Sequence, residues 1–210
     1  MTTPLSGRRA QAARNDEVIL EAARTVFMRT PDAPIAAVAQ EAGVGVSALY
    51  RRYAGKEDLL ATLCADGLRR FIQAADEAER LDDPAAQLDA FVRGVIAQDV
   101  HSLTVHLAGT FTPTPELGEL SAEATARGDA IFRRAQDAGA VRADLETTDL
   151  AMVFEQVTAV RLDDPARTAV LRDRYLTLLL DALRPQAATG TLPGPAPTGA
   201  ELGARWVPRR

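Results

Sequence analysis

Apolar residues recur at spacings of three and four along most of this 210-residue chain, and that period restricts its fold more than any other feature. In one such segment, Ile19, Ala22, Ala23, Val26 and Phe27 fall on one face of a helix. Seven further segments with this pattern follow, separated by breaks that contain proline or glycine. No segment alternates with the period of two that indicates a strand. The sequence therefore predicts an all-α protein.

The breaks predict how the chain is divided. We expect a four-helix domain over residues 15–78 and a second helical domain over residues 84–184, because proline at position 84 favours the start of a new helix. Residues 1–14 are polar, and residues 185–210 are rich in proline, glycine, alanine and threonine without apolar periodicity. We therefore expect a disordered N-terminal arm and a disordered C-terminal tail.

Residues 34–53 have the pattern of a helix-turn-helix. Gly43 suits the left-handed conformation that ends a helix, and Leu49 is expected to fill the gap between the two short helices. The second helix then presents Tyr50 and Arg51 outward. An aromatic and basic helix face of this kind is what a protein needs to enter the major groove of DNA.

The distribution of charge agrees with that interpretation better than its total does. The net charge is −5, yet residues 1–56 carry eight basic and five acidic side chains, and the remaining residues carry sixteen basic and twenty-four acidic ones. A basic N-terminal part on an acidic remainder suits a DNA reader whose second half stays away from DNA. Chance asymmetry is the alternative explanation.

The first 75 or so residues resemble the DNA-binding domain of the TetR-type transcriptional repressors. The matching positions are Ile19, Ala22, Ala23, Phe27, Ala39, Gly43, Val44, Leu49, Tyr50, Arg51, Arg52, Tyr53, Lys56, Glu57, Asp58, Leu59 and Leu60. The resemblance implies an all-α homodimer. Each chain would have an N-terminal three-helix head with the helix-turn-helix, joined by a long fourth helix to a helical ligand-sensing and dimerisation body.

The resemblance also implies which residues contact DNA. The expected positions are Ala36, Val46, Ser47, Ala48, Tyr50, Arg51, Arg52 and Lys56. Residues 46–48 match base-reading positions, whereas Tyr50, Arg52 and Lys56 match phosphate-contact positions. Arg51 suits either role, since arginine can bind guanine with two hydrogen bonds. Ala36 offers only apolar contact. Arg8, Arg9 and Arg14 either reach the minor groove or belong to a solvated tail.

A ligand pocket and a dimer interface are implied for the body. The pocket is expected to be lined by Phe91, Val95, His101, Thr104, Leu107, Phe111 and Phe132. The interface is expected on the last two helices, at Leu150, Val153, Phe154, Val157, Leu171, Tyr175, Leu178 and Leu179. For each of these residues, ordinary packing within one chain is the alternative.

Other classes of site have little support. No nucleophile elbow, phosphate-binding loop or dinucleotide motif occurs, and His101 and His106 are too far apart around a helix to form an i, i+4 metal pair. We therefore expect neither enzymatic activity nor a cofactor nor a metal. The single cysteine, the lack of a long apolar run and the lack of a signal sequence predict a cytoplasmic protein, associated with the nucleoid when bound to DNA.

The function implied is that of a ligand-responsive transcriptional regulator. Most simply, it is a repressor that binds a palindromic double-stranded DNA operator as a homodimer and is released by an unidentified small-molecule effector, which moves the fourth helix. Two alternatives stay open: a helical enzyme that carries a helix-turn-helix, and a protein-interaction adapter whose head has lost DNA binding. The absence of a catalytic constellation argues against the first, and Tyr50, Arg52 and Lys56 argue against the second.

Overall fold

The computed structural model describes residues 7–99 and 107–207, with side chains described from residue 15 onward. Within these ranges the chain forms helices and turns and no strand, which confirms the predicted all-α class. The chain divides into two compact units, residues 1–64 and residues 65–210.

The N-terminal unit contains α1 (Gly7–Arg29), α2 (Ile35–Glu41), α3 (Val46–Tyr50) and the start of α4 (Lys56–Ala78). Helix α2 packs against both α1 and α3. The core of the unit consists of the side chains that the apolar pattern places inward: Ile19, Ala22, Ala23, Phe27, Ile35, Val38, Ala39, Leu49, Tyr53, Leu59, Leu60 and Leu63.

Helix α1 extends further toward the N-terminus than the sequence predicts. The expected arm covers residues 1–14, whereas the helix begins at Gly7. Residues 8–14 are arginine, alanine and glutamine, all of high helix propensity, and no proline interrupts them. The arginine side chains at positions 8, 9 and 14 lie outside the described side chains, so their contact with DNA stays a prediction.

The C-terminal unit contains the rest of α4, followed by α5 (Pro84–Ala97), α6 (Pro115–Asp137), α7 (Thr147–Thr158), α8 (Pro165–Ala182), a 3-10 turn (Pro185–Ala187) and α9 (Gly199–Ala204). Helix α5 is central, since it packs against α6, α7 and α8. Three phenylalanine rings, Phe71, Phe91 and Phe154, meet edge to face in the core, with centroids 5.0 to 6.4 Å apart.

Three helices of this unit begin in the same way, with a capping side chain followed by proline. Asp83, Thr114 and Asp164 each accept a hydrogen bond from a backbone N–H of the following turn, at 2.9, 3.2 and 2.9 Å. The proline occupies the first helical position, where the missing N–H would have no partner in the helix. Capping therefore explains the aspartates that directly precede Pro84 and Pro165.

Two sequence expectations for this unit are corrected. The apolar pattern after Pro84 predicts a helix from residue 85 to about residue 108. The helix instead ends at Ala97, and Asp99 has a left-handed φ of 49°, which interrupts a right-handed helix. The tail predicted as disordered over residues 185–210 contains the 3-10 turn and α9. This segment is held by a few polar and aromatic contacts. Because these contacts involve single residues, they produce no apolar periodicity in the sequence.

Candidate functional sites

The turn between α2 and α3 sets the direction of the candidate DNA-contacting helix. Gly43 follows α2 with φ +65°, the conformation that glycine adopts at lowest cost. Its N–H donates to the Gln40 carbonyl at 3.2 Å, and the Val44 N–H donates to the Ala39 carbonyl at 2.9 Å. These two bonds form the Schellman motif. The chain therefore leaves α2 sharply and begins α3 only three residues later.

Helix α3 has one buried and one exposed side. Leu49 is fully buried and Tyr53 is 5% exposed, so both belong to the core of the N-terminal unit. Burial raises the pKa of the Tyr53 hydroxyl. Tyr50, by contrast, is 54% exposed. The predicted DNA-contacting side chains at positions 36, 46, 47, 50 and 51 are all exposed, and Ala48 is half-buried.

Arg52 differs from Arg51 because its guanidinium already has an acidic partner. Its guanidinium forms an ion pair with the Asp16 carboxylate of α1. Both side chains are about one-third exposed, at 35% and 33%. This contact ties the end of the helix-turn-helix to α1, and it places the predicted phosphate contact beside a negative charge.

Lys56 lies at the first position of α4 and is held by an aromatic ring. Its Nζ is 5.5 Å from the centroid of Phe27, within the range of a cation–π contact. The Asp58 carboxylate accepts a hydrogen bond from the Ala54 N–H at 2.9 Å, which fixes the chain just before the helix. The position of the Lys56 ammonium group is therefore set by its contact with Phe27 of the core.

The C-terminal unit contains a half-open, mostly apolar cavity of about 230 Å³. Its walls come from α4, α5, α6, α7 and α9. Apolar contacts are supplied by Leu68, Phe71, Phe91, Ala124, Leu150, Ala151, Phe154 and Leu202, and polar ones by Ser121, Thr125, Asp129, Thr147 and Thr148. A Cβ at Gly128 would lie 3.6 Å from the rings of Phe71 and Phe91, in ordinary van der Waals contact, so a larger side chain there would extend into the cavity.

The predicted pocket residues are placed differently from one another. Phe91 lines the cavity. Val95 and Phe132 are buried in the core of the unit, and Leu107 and Phe111 are also buried but do not line this cavity. His101 and Thr104 lie outside the described residues. The prediction missed Phe71 and Gly128. Gly128 could have been noticed in the sequence, because glycine inside a long helix lowers its stability and therefore indicates a site where a side chain is not wanted.

The predicted dimer residues differ in burial between the two helices that carry them. On α7, Leu150, Val153, Phe154 and Val157 are buried in the core of their own chain, so the packing alternative applies to them. On α8, Tyr175 is 45% exposed and Leu178 is 64% exposed, and Leu171 and Leu179 are half-buried. Tyr175, Leu178 and Leu179 also line a groove with Val157 and Val160. Only the α8 half of the prediction lies on an open surface.

Metal-binding clusters and membrane-spanning helices are both absent from the described residues. These residues contain no group of three or more histidine, cysteine, aspartate or glutamate side chains that could hold a metal ion. They also contain no helix long and apolar enough to cross a membrane.

Sequence profiles of known families match most of the chain. Residues 19–63 match the profile described as bacterial regulatory proteins of the tetR family. Residues 83–185 match that of the C-terminal domain of SbtR-like transcriptional regulators, a TetR-type domain. No curated protein sequence matches the chain at a significant level.

Solved structures of TetR-type regulators share the fold. The regulator SCO0520 from Streptomyces coelicolor is 27% identical, with a TM-score of 0.58 over 81% of this chain and 99% of that one. A TetR regulator from Mycobacterium vanbaalenii is 25% identical, with a TM-score of 0.57 over 84% and 98%. LfrR from Mycobacterium smegmatis, solved in complex with proflavine, is 22% identical, with a TM-score of 0.56 over 87% and 99%.

Proposed function

The chain belongs to the TetR family of transcriptional regulators, and from this premise we propose that it is a cytoplasmic, homodimeric repressor that binds a palindromic operator and is released by a small molecule. The observation that carries the proposal is the two-sided α3. Leu49 and Tyr53 hold it to the core, while Tyr50 and the residues around it face outward. The matched proteins are regulators rather than enzymes.

We infer different tasks for the exposed residues at the DNA. Ser47 and Arg51 are four apart and lie on one face of the helix, where they would read base edges in the major groove. Val46 and Ala48 would add apolar contacts, and Ala36 of α2 would add another. Tyr50, Arg52 and Lys56 would hold phosphates, which supply affinity and fix the register.

The cavity of the C-terminal unit is the proposed effector site. Aromatic and aliphatic side chains dominate its wall, and among the described residues the only charged side chain that lines it is the carboxylate of Asp129. An apolar molecule that is neutral or carries a positive charge fits this lining, whereas an anion would meet a like charge. Proflavine, an aromatic cation bound by the similar LfrR fold, has this chemistry.

Helix α4 is the proposed link between effector and DNA. It is continuous from Lys56 to Ala78, and it carries Lys56 at one end and Leu68 and Phe71 in the cavity wall. Two heads must lie about 34–36 Å apart to enter successive major grooves. A ligand that displaces Leu68 or Phe71 would shift the helix and thereby change that spacing. A coupling free energy of about 1–3 kcal/mol is sufficient for regulation.

The proposal is tested by selecting duplexes from a random-sequence library with the purified full-length protein. We expect a palindromic site whose affinity falls steeply with salt. The variants Tyr50→Phe and Lys56→Ala should weaken binding to all duplexes alike. Failure to enrich any duplex would favour the adapter alternative. A compound that binds the cavity without changing operator affinity would contradict the release mechanism for that compound.

A further inference from the structure

The residues after the 3-10 turn return to the surface of the C-terminal unit. We refer to residues 188–207 as the strap. The strap lies beyond residue 185, where the match to the C-terminal family profile ends. No side chain of α9 is buried, and the core cluster includes no residue of the strap. It is therefore an addition to the helical core, held in place by a few contacts.

The first anchor of the strap is the carboxylate of Asp144. It accepts a hydrogen bond from the Leu192 N–H at 2.8 Å and binds Arg142 through both oxygens, at 2.7 and 2.8 Å. Arg142 also donates to the Gly190 carbonyl at 2.7 Å. Arg142 and the Leu192 N–H hold the pKa of Asp144 well below its usual range. Three hydrogen bonds to this carboxylate and one to the Gly190 carbonyl therefore hold this end of the strap.

The second anchor lies at the other end of the strap. Arg205 forms an ion pair with Glu155 of α7, and the Trp206 ring meets the Phe111 ring edge to face at 6.2 Å. Gly109 admits the strap, since a Cβ there would come within 3.1 Å of the Arg205 carbonyl oxygen. The ion pair and the half-buried tryptophan are partly solvated, so this anchor opens more easily than the core.

Between the two anchors, the strap reaches the cavity through one residue, Leu202. Helix α9 has six residues and begins with a capping box, in which Thr198 and Glu201 bond each other's backbone N–H. A helix of this length is not stable by itself in water. Leu202 is its contribution to the cavity lining, opposite residues of the core helices.

We propose that the strap is a lid on the effector site, with Asp144 as the fixed end, the Trp206 anchor as the releasable end and Leu202 as the residue that closes the cavity. The proposal rests on the proposed effector function of this cavity. An apolar molecule enters when the Trp206 anchor opens, and Leu202 then packs against the bound molecule. Leu202 is thus a determinant of effector size that lies outside the matched family region.

Rates of probe binding test the lid on the full-length protein. The probe is N-phenyl-1-naphthylamine, a neutral aromatic compound that fluoresces in apolar surroundings, mixed with the protein by stopped flow. Trp206→Ala and Glu155→Gln weaken the closed state. Because the probe enters and leaves only while the Trp206 anchor is open, we expect both the association and the dissociation rate constants to rise by about fivefold or more. Val207→Ala, beside Trp206 but 65% exposed, is the control and should leave both unchanged.

A second measurement follows the lid without a probe. Trp206 is the single tryptophan of the chain, so its quenching by iodide reports the strap alone. Quenching should increase in Glu155→Gln relative to the wild type. Gly128→Leu fills the cavity and should abolish probe binding, while leaving the quenching of Trp206 as in the wild type.

The outcomes separate the lid from the effector site. If probe binding depends on Gly128 but the anchor variants keep wild-type rate constants and quenching, the cavity stands and the lid is overturned. If no protein binds the probe in a Gly128-dependent way, the cavity fails as an effector site and the lid fails with it. Binding by Trp206→Ala but not by the wild type supports a lid that stays closed.

Discussion

At the scale of single residues, Arg51 and Arg52 show how neighbours in sequence differ in surroundings. Arg52 is paired with Asp16 of α1, whereas Arg51 is exposed on the outward side of the helix-turn-helix. An exposed arginine in a major groove can form two hydrogen bonds with guanine. A guanidinium beside a carboxylate contributes less net charge to the phosphates. We therefore expect Arg51 to determine sequence preference more than Arg52 does.

The variant Arg51→Ala should reduce operator affinity by about 1–3 kcal/mol and relax the base preference at one position of each half-site. Affinity for unrelated duplexes should change much less. Fluorescence anisotropy with the selected operator and a scrambled duplex measures both. Arg80→Ala, an exposed arginine after α4, is the matched control. An equal loss on both duplexes would assign Arg51 to a phosphate instead.

The variant Asp16→Asn should strengthen non-specific DNA binding, because it removes the negative charge beside Arg52. If Arg52 then contacts one further phosphate per head, the slope of log affinity against log salt should steepen by about 0.9 for each. Titrations of a non-operator duplex at several salt concentrations give that slope. An unchanged slope would contradict the idea that pairing with Asp16 keeps Arg52 from a phosphate.

At the scale of elements, the turn between α2 and α3 depends on one backbone conformation. Gly43→Ala should destabilise the protein by about 1 kcal/mol, since an alanine Cβ is unfavourable at φ +65°. Gly45→Ala is the control, because Gly45 has φ −67° and an added Cβ there would meet no atom within 4 Å. Denaturant unfolding compares the two. Equal stability of both variants would contradict the role of Gly43.

The helices could be predicted where local chemistry sets their ends. Asp83 and Asp164, each followed by proline, mark the starts of α5 and α8 directly in the sequence. The end of α5 was not predicted, because aspartate adopts the left-handed conformation far less often than glycine and no glycine or proline accompanies Asp99. Asp99 is instead held by Arg172 of α8, at 2.9 Å. Contacts from distant parts of the chain also order the strap, and a local pattern does not record them.

At the scale of the whole molecule, the two candidate sites also differ in whether local sequence or contacts between distant residues form them. The predicted DNA-contacting residues lie close together in the sequence, on α2, on α3 and just after it, and at the start of α4. Exposure along α3 therefore follows from its own sequence. The cavity combines residues from five helices, among them Phe71 of α4 and Leu202 of α9. Only packing brings these residues together. Aromatic residues were expected there, and among the described residues Phe91 is the one member of the expected set that lines the cavity.

The last prediction concerns the proposed dimer interface. A row of exposed apolar side chains on α8, Leu178 and Tyr175 foremost, is unusual on a monomer of this size. Leu178→Glu places a charge in that row and should convert the dimer to a monomer, as measured by sedimentation. Because both heads must bind one palindrome at once, operator affinity should fall by about a hundredfold or more. Leu81→Glu, a substitution of a leucine that is 41% exposed in the bend after α4, should leave mass and affinity unchanged. A Leu178→Glu variant that remains dimeric would place the interface on another surface.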